Sequence, residues 1–199
     1  MRKLFPFVVF FVSSAAAAQK HEVGLTLGEL FSQDRGTVPN VVRLNSDIAL
    51  QANYGHHFIG RWTALYGEVH FLANPQRVVD SANSAATRDV ATLYVTPGVR
   101  VKFARDAAVS PYVAVGGGVA WYEHSFFRID GGPNRAPREL HHGALDFGAG
   151  ADVKFWRWIS LRGEVRDFYT GSPAYNIPMI VGGQHNLVGG GGFVLKWGN

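Results

Sequence analysis

Glu123-His124-Ser125 sets a carboxylate, an imidazole and a hydroxyl side by side, the residue types of a nucleophilic hydrolase. Their spacing argues against that chemistry. A general base must lie within hydrogen-bond reach of its nucleophile, whereas adjacent residues on a strand point to opposite faces. Only a bend at that point would bring them together. The histidines form a second group: His124, His141, His142 and His185 fall in or beside long loops, with His70 nearby. Imidazole is the commonest metal ligand, but no spacing here is diagnostic of a metal site. Ordinary loop histidines are the heavier reading, and His56-His57 reads as turn polarity. No catalytic residue, cofactor or metal ligand is assigned.

The other charged residues make a firmer pattern. Glu68, Asp146, Asp152 and Glu164 share one parity of alternating segments with Arg100, Lys102, Lys154, Arg162 and Arg166. If that face lines the inside of a closed sheet the charges are buried, and buried charges must be paired and hydrogen-bonded. The chemistry these nine residues support is therefore a salt-bridge plug.

Eight segments alternate with period two and would position these groups. Glu22 to about Phe31 sets Val23, Leu25 and Leu27 against Gly24, Thr26 and Gly28. Ser46–Tyr54 and Trp62–Leu72 follow, the latter with Tyr66, Glu68 and His70 on its polar face. Val90–Phe103 alternates around Pro97, a blemish because proline donates nothing to a ladder. Pro111–Glu123, Gly143–Phe155 and Trp158–Phe168 come next. The last segment, Asn186–Trp197, has Leu187, Phe193, Leu195 and Trp197 on its apolar face and Gly190 and Gly192 on the other. Those two glycines are expected to give the arginines of the seventh segment room across the wall.

The connections differ in length. Those at Ser32–Asn45, Ala73–Asp89, His124–His142 and Tyr169–Gln184 are long and rich in turn residues; Gly55–Arg61, Ala104–Ser110 and Trp156–Arg157 are short. With an even strand count, all short turns lie on the side of both termini. Aromatics gather at the strand ends. Tyr54, Trp62, Phe103, Tyr112, Phe155, Trp156, Trp158 and Trp197 fall at the short-turn end, and Phe31, Phe71, Trp121 and Phe168 near the long-loop end. Trp and Tyr favour membrane–water interfaces, so two girdles around an apolar band suit an embedded barrel.

The N-terminus carries Arg2-Lys3, an apolar run Leu4–Val12 and Ala16-Ala17-Ala18, the layout of a secretory signal peptide cleaved after Ala18. Residues 19–199 then form one domain. Removing Arg2 and Lys3 lowers the formal charge from +4 to about +2, so the basic pI does not argue for nucleic acid. There is no cysteine to supply a disulfide or a thiolate. The 24 glycines are too many for ordinary strand interiors and imply tight packing within a barrel.

Alternation alone leaves the faces unassigned. A soluble, lipocalin-like exported barrel would hide the apolar face around a lipophilic ligand. Against it, a solvated surface normally holds more Lys and Glu than 17% charged residues allow. Small residues with balanced charges fit the crowded interior of an eight-stranded barrel. In lipid, moreover, every backbone group must be paired, which a closed sheet achieves.

The signal-like segment, eight amphipathic segments, unequal connections and Leu187–Trp197 closing strand together resemble a small eight-stranded outer-membrane barrel of the OmpA/OmpX-like superfamily. The resemblance covers the mature chain. It implies an all-β, antiparallel up-and-down transmembrane barrel in the bacterial outer membrane with a structural or surface-interaction role. The implied partners are outer-membrane lipid, lipopolysaccharide and, during insertion, the barrel-assembly machinery; the implied state is a monomer. One departure is that Trp197 is followed by Gly198 and Asn199 where the family ends on an aromatic. Some such barrels modify lipid A with a His and Ser two apart on an outward face, but Phe168 and Thr170 occupy the comparable positions here. Arg128, Arg135 and Arg138 could meet lipopolysaccharide phosphates, although solvated loop charges are the heavier reading.

Overall fold

A computed structural model describes residues 20–36, 40–171 and 173–198. The signal-peptide assignment, residues 1–18, lies outside them. The strands are β1 (His21–Ser32), β2 (Val42–Leu44), β3 (Asp47–Ile59), β4 (Thr63–Ser81), β5 (Asp89–Phe103), β6 (Val109–His124), β7 (Glu139–Lys154), β8 (Ile159–Thr170) and β9 (Gln184–Trp197). A 3-10 turn, Ala174–Asn176, interrupts the last long loop.

Eight of these strands form a closed antiparallel wall. β1 pairs with β3 and β9, the ladder continues through β8, β7, β6 and β5, and β4–β5 pairing returns it to β3. The closing seam runs from His21↔Trp197 to Ser32↔Asn186. Period two then separates the side chains as the alternation predicts. Leu25, Leu27, Val113, Val115, Phe147, Val165 and Phe193 point outward, while Thr26, Ala114, Glu164 and Val194 are buried inside. A soluble carrier would need the apolar face within. The wall has it outside.

Several boundaries move. β4 continues to Ser81, nine residues past the expected end at Leu72, into a stretch read as loop. A register shift between Asn74 and Arg77 absorbs Pro75, after which pairing resumes at Arg77↔Val90 and Val78↔Asp89. This extension also pairs with β2, which arises inside the first long connection. The turn residues had masked the pairing, because a bulge interrupts the period on which the reading relies. β3 likewise extends to Ile59. Pro97 lies within β5, opposite Val69 of β4. The β5–β6 ladder has a gap between Val95↔Val119 and Gly98↔Gly116, where Pro97 has no hydrogen to give.

Two layers fill the lumen. The paired charged side chains occupy the half nearer the short turns, while Arg77, buried in the β4 extension, donates to Ser32 and Asn186 at the other end. Above them lies an apolar layer of Leu30, Ala120, Tyr94, Tyr122, Phe168 and Val188, sealed by Tyr175, Ile177 and Ile180 of the last long loop and by Val42, Leu44 and Val79 of the β2–β4 extension. Arg35 fastens that loop by donating to the carbonyls of Val181, Gly182 and Gly183.

Candidate functional site

The charged layer is assembled from five strands, each contributing through its inward parity. Arg166 (β8) is its upper hub. Its Nη2 lies 2.5 Å from Glu68, its Nη1 3.0 Å from Asp146 and its Nε 3.2 Å from Glu164. The lower hub is Glu22 (β1), which accepts from Arg100, from Lys102 Nζ at 2.9 Å and from Arg162 Nη2 at 3.0 Å. Asp152 closes the lower ring, with Lys102 at 2.6 Å and Arg162 at 2.7 Å. Arg100 also reaches Glu68 at 3.0 Å and so links the two hubs. Remaining carboxylate lone pairs are taken by neutral donors: Thr96 to Asp146 (2.7 Å), Thr26 (3.0 Å) and Tyr112 (2.8 Å) to Glu164, and Asn53 to Glu68 (2.9 Å). Arg100 and Arg162 further stack over the ring of Tyr112, a cation–π arrangement favoured where water is excluded.

Eight of the nine sequence-assigned lumen charges meet here: Glu68, Arg100, Lys102, Asp146, Asp152, Arg162, Glu164 and Arg166. Lys154 does not. It has inward parity but is the last residue of β7, beyond the ring, and is exposed. Glu22 is the residue the charge pattern missed. Its parity with Gly24 and Thr26 marked it as inward, but its place at the start of the first segment made it look like an end.

The girdle assignments divide similarly. Tyr54, Trp62, Phe103, Phe155, Trp158 and Trp197 are exposed at the short-turn end. Tyr112 is only 2% exposed and faces the lumen. Its position near a strand end suggested a belt; its parity with Ala114 and Ser110 decides otherwise. Phe168 is also turned inward, packed on Tyr94 at 5.0 Å between centroids and on His70 at 5.7 Å. Phe31, Phe71 and Trp121 remain outside. Tyr112→Phe is therefore expected to cost about 1–3 kcal/mol by removing a charge-assisted hydrogen bond to Glu164 Oε2, which is left with Arg166 Nε alone at 3.2 Å. Tyr54→Phe should cost much less, and urea unfolding in lipid vesicles compares the two.

The other candidate groups are dispersed. Glu123 accepts from Arg138 at 2.6 Å, His124 Nδ1 contacts Asn176 at 3.3 Å, and Ser125 donates to the Phe127 carbonyl at 2.9 Å. These side chains engage three different partners and form no relay. His141 sits edge-on to Trp121, and His185 pairs with Asp167 at 2.6 Å. Among the described residues no group of three or more His, Cys, Asp or Glu could hold a metal. Arg128 pairs with Asp130 at 2.7 Å, Arg138 lies 3.4 Å above the ring of Phe126, and Arg135 is exposed. In the cap, Tyr175 donates to Gln184 at 2.7 Å, and burial pushes its phenol above the ordinary range, which keeps it a donor.

A closed wall with an apolar exterior and a charge-filled interior is an architecture suited to lipid. The sequence profile of the outer membrane protein beta-barrel domain matches residues 4–190. The chain belongs to that family. Its place is accordingly the bacterial outer membrane, with the apolar wall toward lipid. Among solved structures, the chain resembles Neisserial surface protein A at 9% identity and a TM-score of 0.53, over 89% of this chain and 97% of that one. It also resembles the outer membrane protein OprG from Pseudomonas aeruginosa at 13% identity and a TM-score of 0.56, over 92% and 97%. At such identities the likeness is one of fold. No curated protein matches the sequence. For an outer-membrane barrel with short turns and both chain ends on one side, that side is the periplasm. The β2–β4 extension and the Tyr175 loop then form the extracellular cap.

Proposed function

We propose that this protein is a sealed outer-membrane barrel whose role is structural or surface-interacting, carried by its folded extracellular cap, without catalysis. The observation that carries this reading is the double obstruction of the lumen. The ion-pair layer and the apolar layer block the axis independently, and eight strands leave room only for packed side chains. Loops supported on such a rigid wall are where binding surfaces concentrate. Arg128, Arg135 and Arg138 are suited to lipopolysaccharide phosphates at the outer rim. The β9 strand is the segment offered to the assembly machinery, and the sealed wall is complete as a monomer.

Planar-bilayer recording tests the reading. The purified protein is expected to give no steady open channel. Replacing residues 173–182 by a short Gly-Ser linker should still give none, because the ion pairs beneath the cap remain. A stable channel in the unmodified protein would overturn the proposal.

A further inference from the structure

A chamber of about 640 Å³ opens between the ion-pair layer and the periplasm. Its chemistry is one-sided. Each of the three short turns supplies one arginine to the lining: Arg61 between β3 and β4, Arg105 between β5 and β6, and Arg157 between β7 and β8. Lys154 and Lys196 add two ammonium groups from the ends of β7 and β9. The lining carboxylates are fewer. Glu22 and Asp152 form the chamber's inner end and already hold Arg100, Lys102 and Arg162, which leaves Asp106 as the acid at the mouth among the described residues. Tyr66 and Trp156 supply aromatic wall, and Lys196 rests on Ser160 at 2.8 Å.

The pattern is not what the plug requires. The ion-pair layer is internally paired without these groups, and Arg105 reaches His57 at 3.4 Å instead, so their positive charge is not needed to close the lumen. A concave site with a few convergent polar groups is the usual form of a ligand pocket, and a cleft whose lining carries an excess of one sign of charge focuses the field on counter-ions. Guanidinium forks from three turns, with ammonium groups between them, match the several oxygens of a phosphate better than a single carboxylate.

We propose that this chamber is a periplasm-facing binding site for a phosphate-bearing anion. The ligand is either a small soluble phosphate ester that enters the mouth or the headgroup of an anionic phospholipid drawn from the inner leaflet beside Trp156. The site goes beyond the role assigned to the cap and does not depend on it.

Titration of the full-length mature protein, refolded in phosphatidylcholine nanodiscs, tests this through Trp fluorescence and calorimetry. One arm adds glycerol phosphate, and the other compares nanodiscs with and without phosphatidylglycerol. Saturable binding in either arm is expected, weakening with salt, and the responding arm identifies the source. R61Q/R105Q/R157Q should weaken binding at least about tenfold, as expected for loss of charge-assisted contacts. If that triple variant fails to give the heat-modifiable folded band, R61Q/K154Q, at two exposed positions, should still weaken it about threefold. The proposal is overturned if neither arm saturates, if a folded variant binds as the parent does, or if sodium chloride at equal ionic strength competes as well as the phosphate ester.

Discussion

Arg166→Met is expected to lower the unfolding free energy by about 3–5 kcal/mol, the usual cost of removing one partner from a buried ionic network. Methionine replaces most of the volume, so the loss is electrostatic. Arg166 serves three carboxylates, and their remaining support is unequal. Glu68 keeps Arg100 and Asn53, and Glu164 keeps Tyr112 and Thr26. Among the described residues, Asp146 keeps only the hydroxyl of Thr96. Neutralising it in the same background, R166M/D146N, should recover about 1–2 kcal/mol, because the charge left without a cation is then removed. Lys154→Met is the control. Lys154 shares the inward parity but lies exposed at the mouth, and such substitutions fall within about 0.5 kcal/mol. Urea unfolding in lipid vesicles, followed by Trp fluorescence, orders the three. Equal midpoints for R166M and K154M would remove the network from any account of stability.

That contrast also shows what the chain reveals without coordinates. Alternation places a side chain on a face but says nothing of its height along the barrel axis. It therefore assigned the right face to Lys154 and the wrong depth, and strand-end position alone put Tyr112 and Phe168 in belts that their parity contradicts. The wall, the closing seam and eight lumen charges were legible because period two survives in every spanning segment. What was hidden lies where the period breaks. The Asn74–Arg77 shift carries β4 beyond Pro75 and builds half the cap, and β2 is three residues, too short to show a period. Glu22 was overlooked for a different reason: its parity marked it as inward, but the first residue of an alternating run looks like a strand end. The periplasmic arginines were hidden differently. They lie in separate short turns and converge only when the barrel closes.

Gly192→Ala is expected to cost at least about 3 kcal/mol, toward the upper range for overpacking, and to reduce the fraction reaching the heat-modifiable folded form. The sequence suggested that Gly190 and Gly192 make room for arginines across the wall. The structure gives that role to other glycines: a Cβ on Gly55 would meet Arg100 at 2.5 Å, and one on Gly148 would meet Arg166 at 2.5 Å. At Gly192 the obstacle is backbone. A Cβ there would lie 1.9 Å from the Leu25 carbonyl oxygen and 2.7 Å from the Thr26 Cα. Flexible side chains can move aside, but β1 is held by β3 on its other edge and β9 by β8. Neither strand can retreat without breaking a second ladder, and in lipid an unpaired backbone group has no water to turn to. Three residues away, Gly189 faces outward with nothing within 4 Å of its Cβ position. Gly189→Ala on the same strand should therefore change stability by no more than about 0.5 kcal/mol. If the two variants fold equally well, close approach at the β1–β9 seam is not what the inward glycines provide.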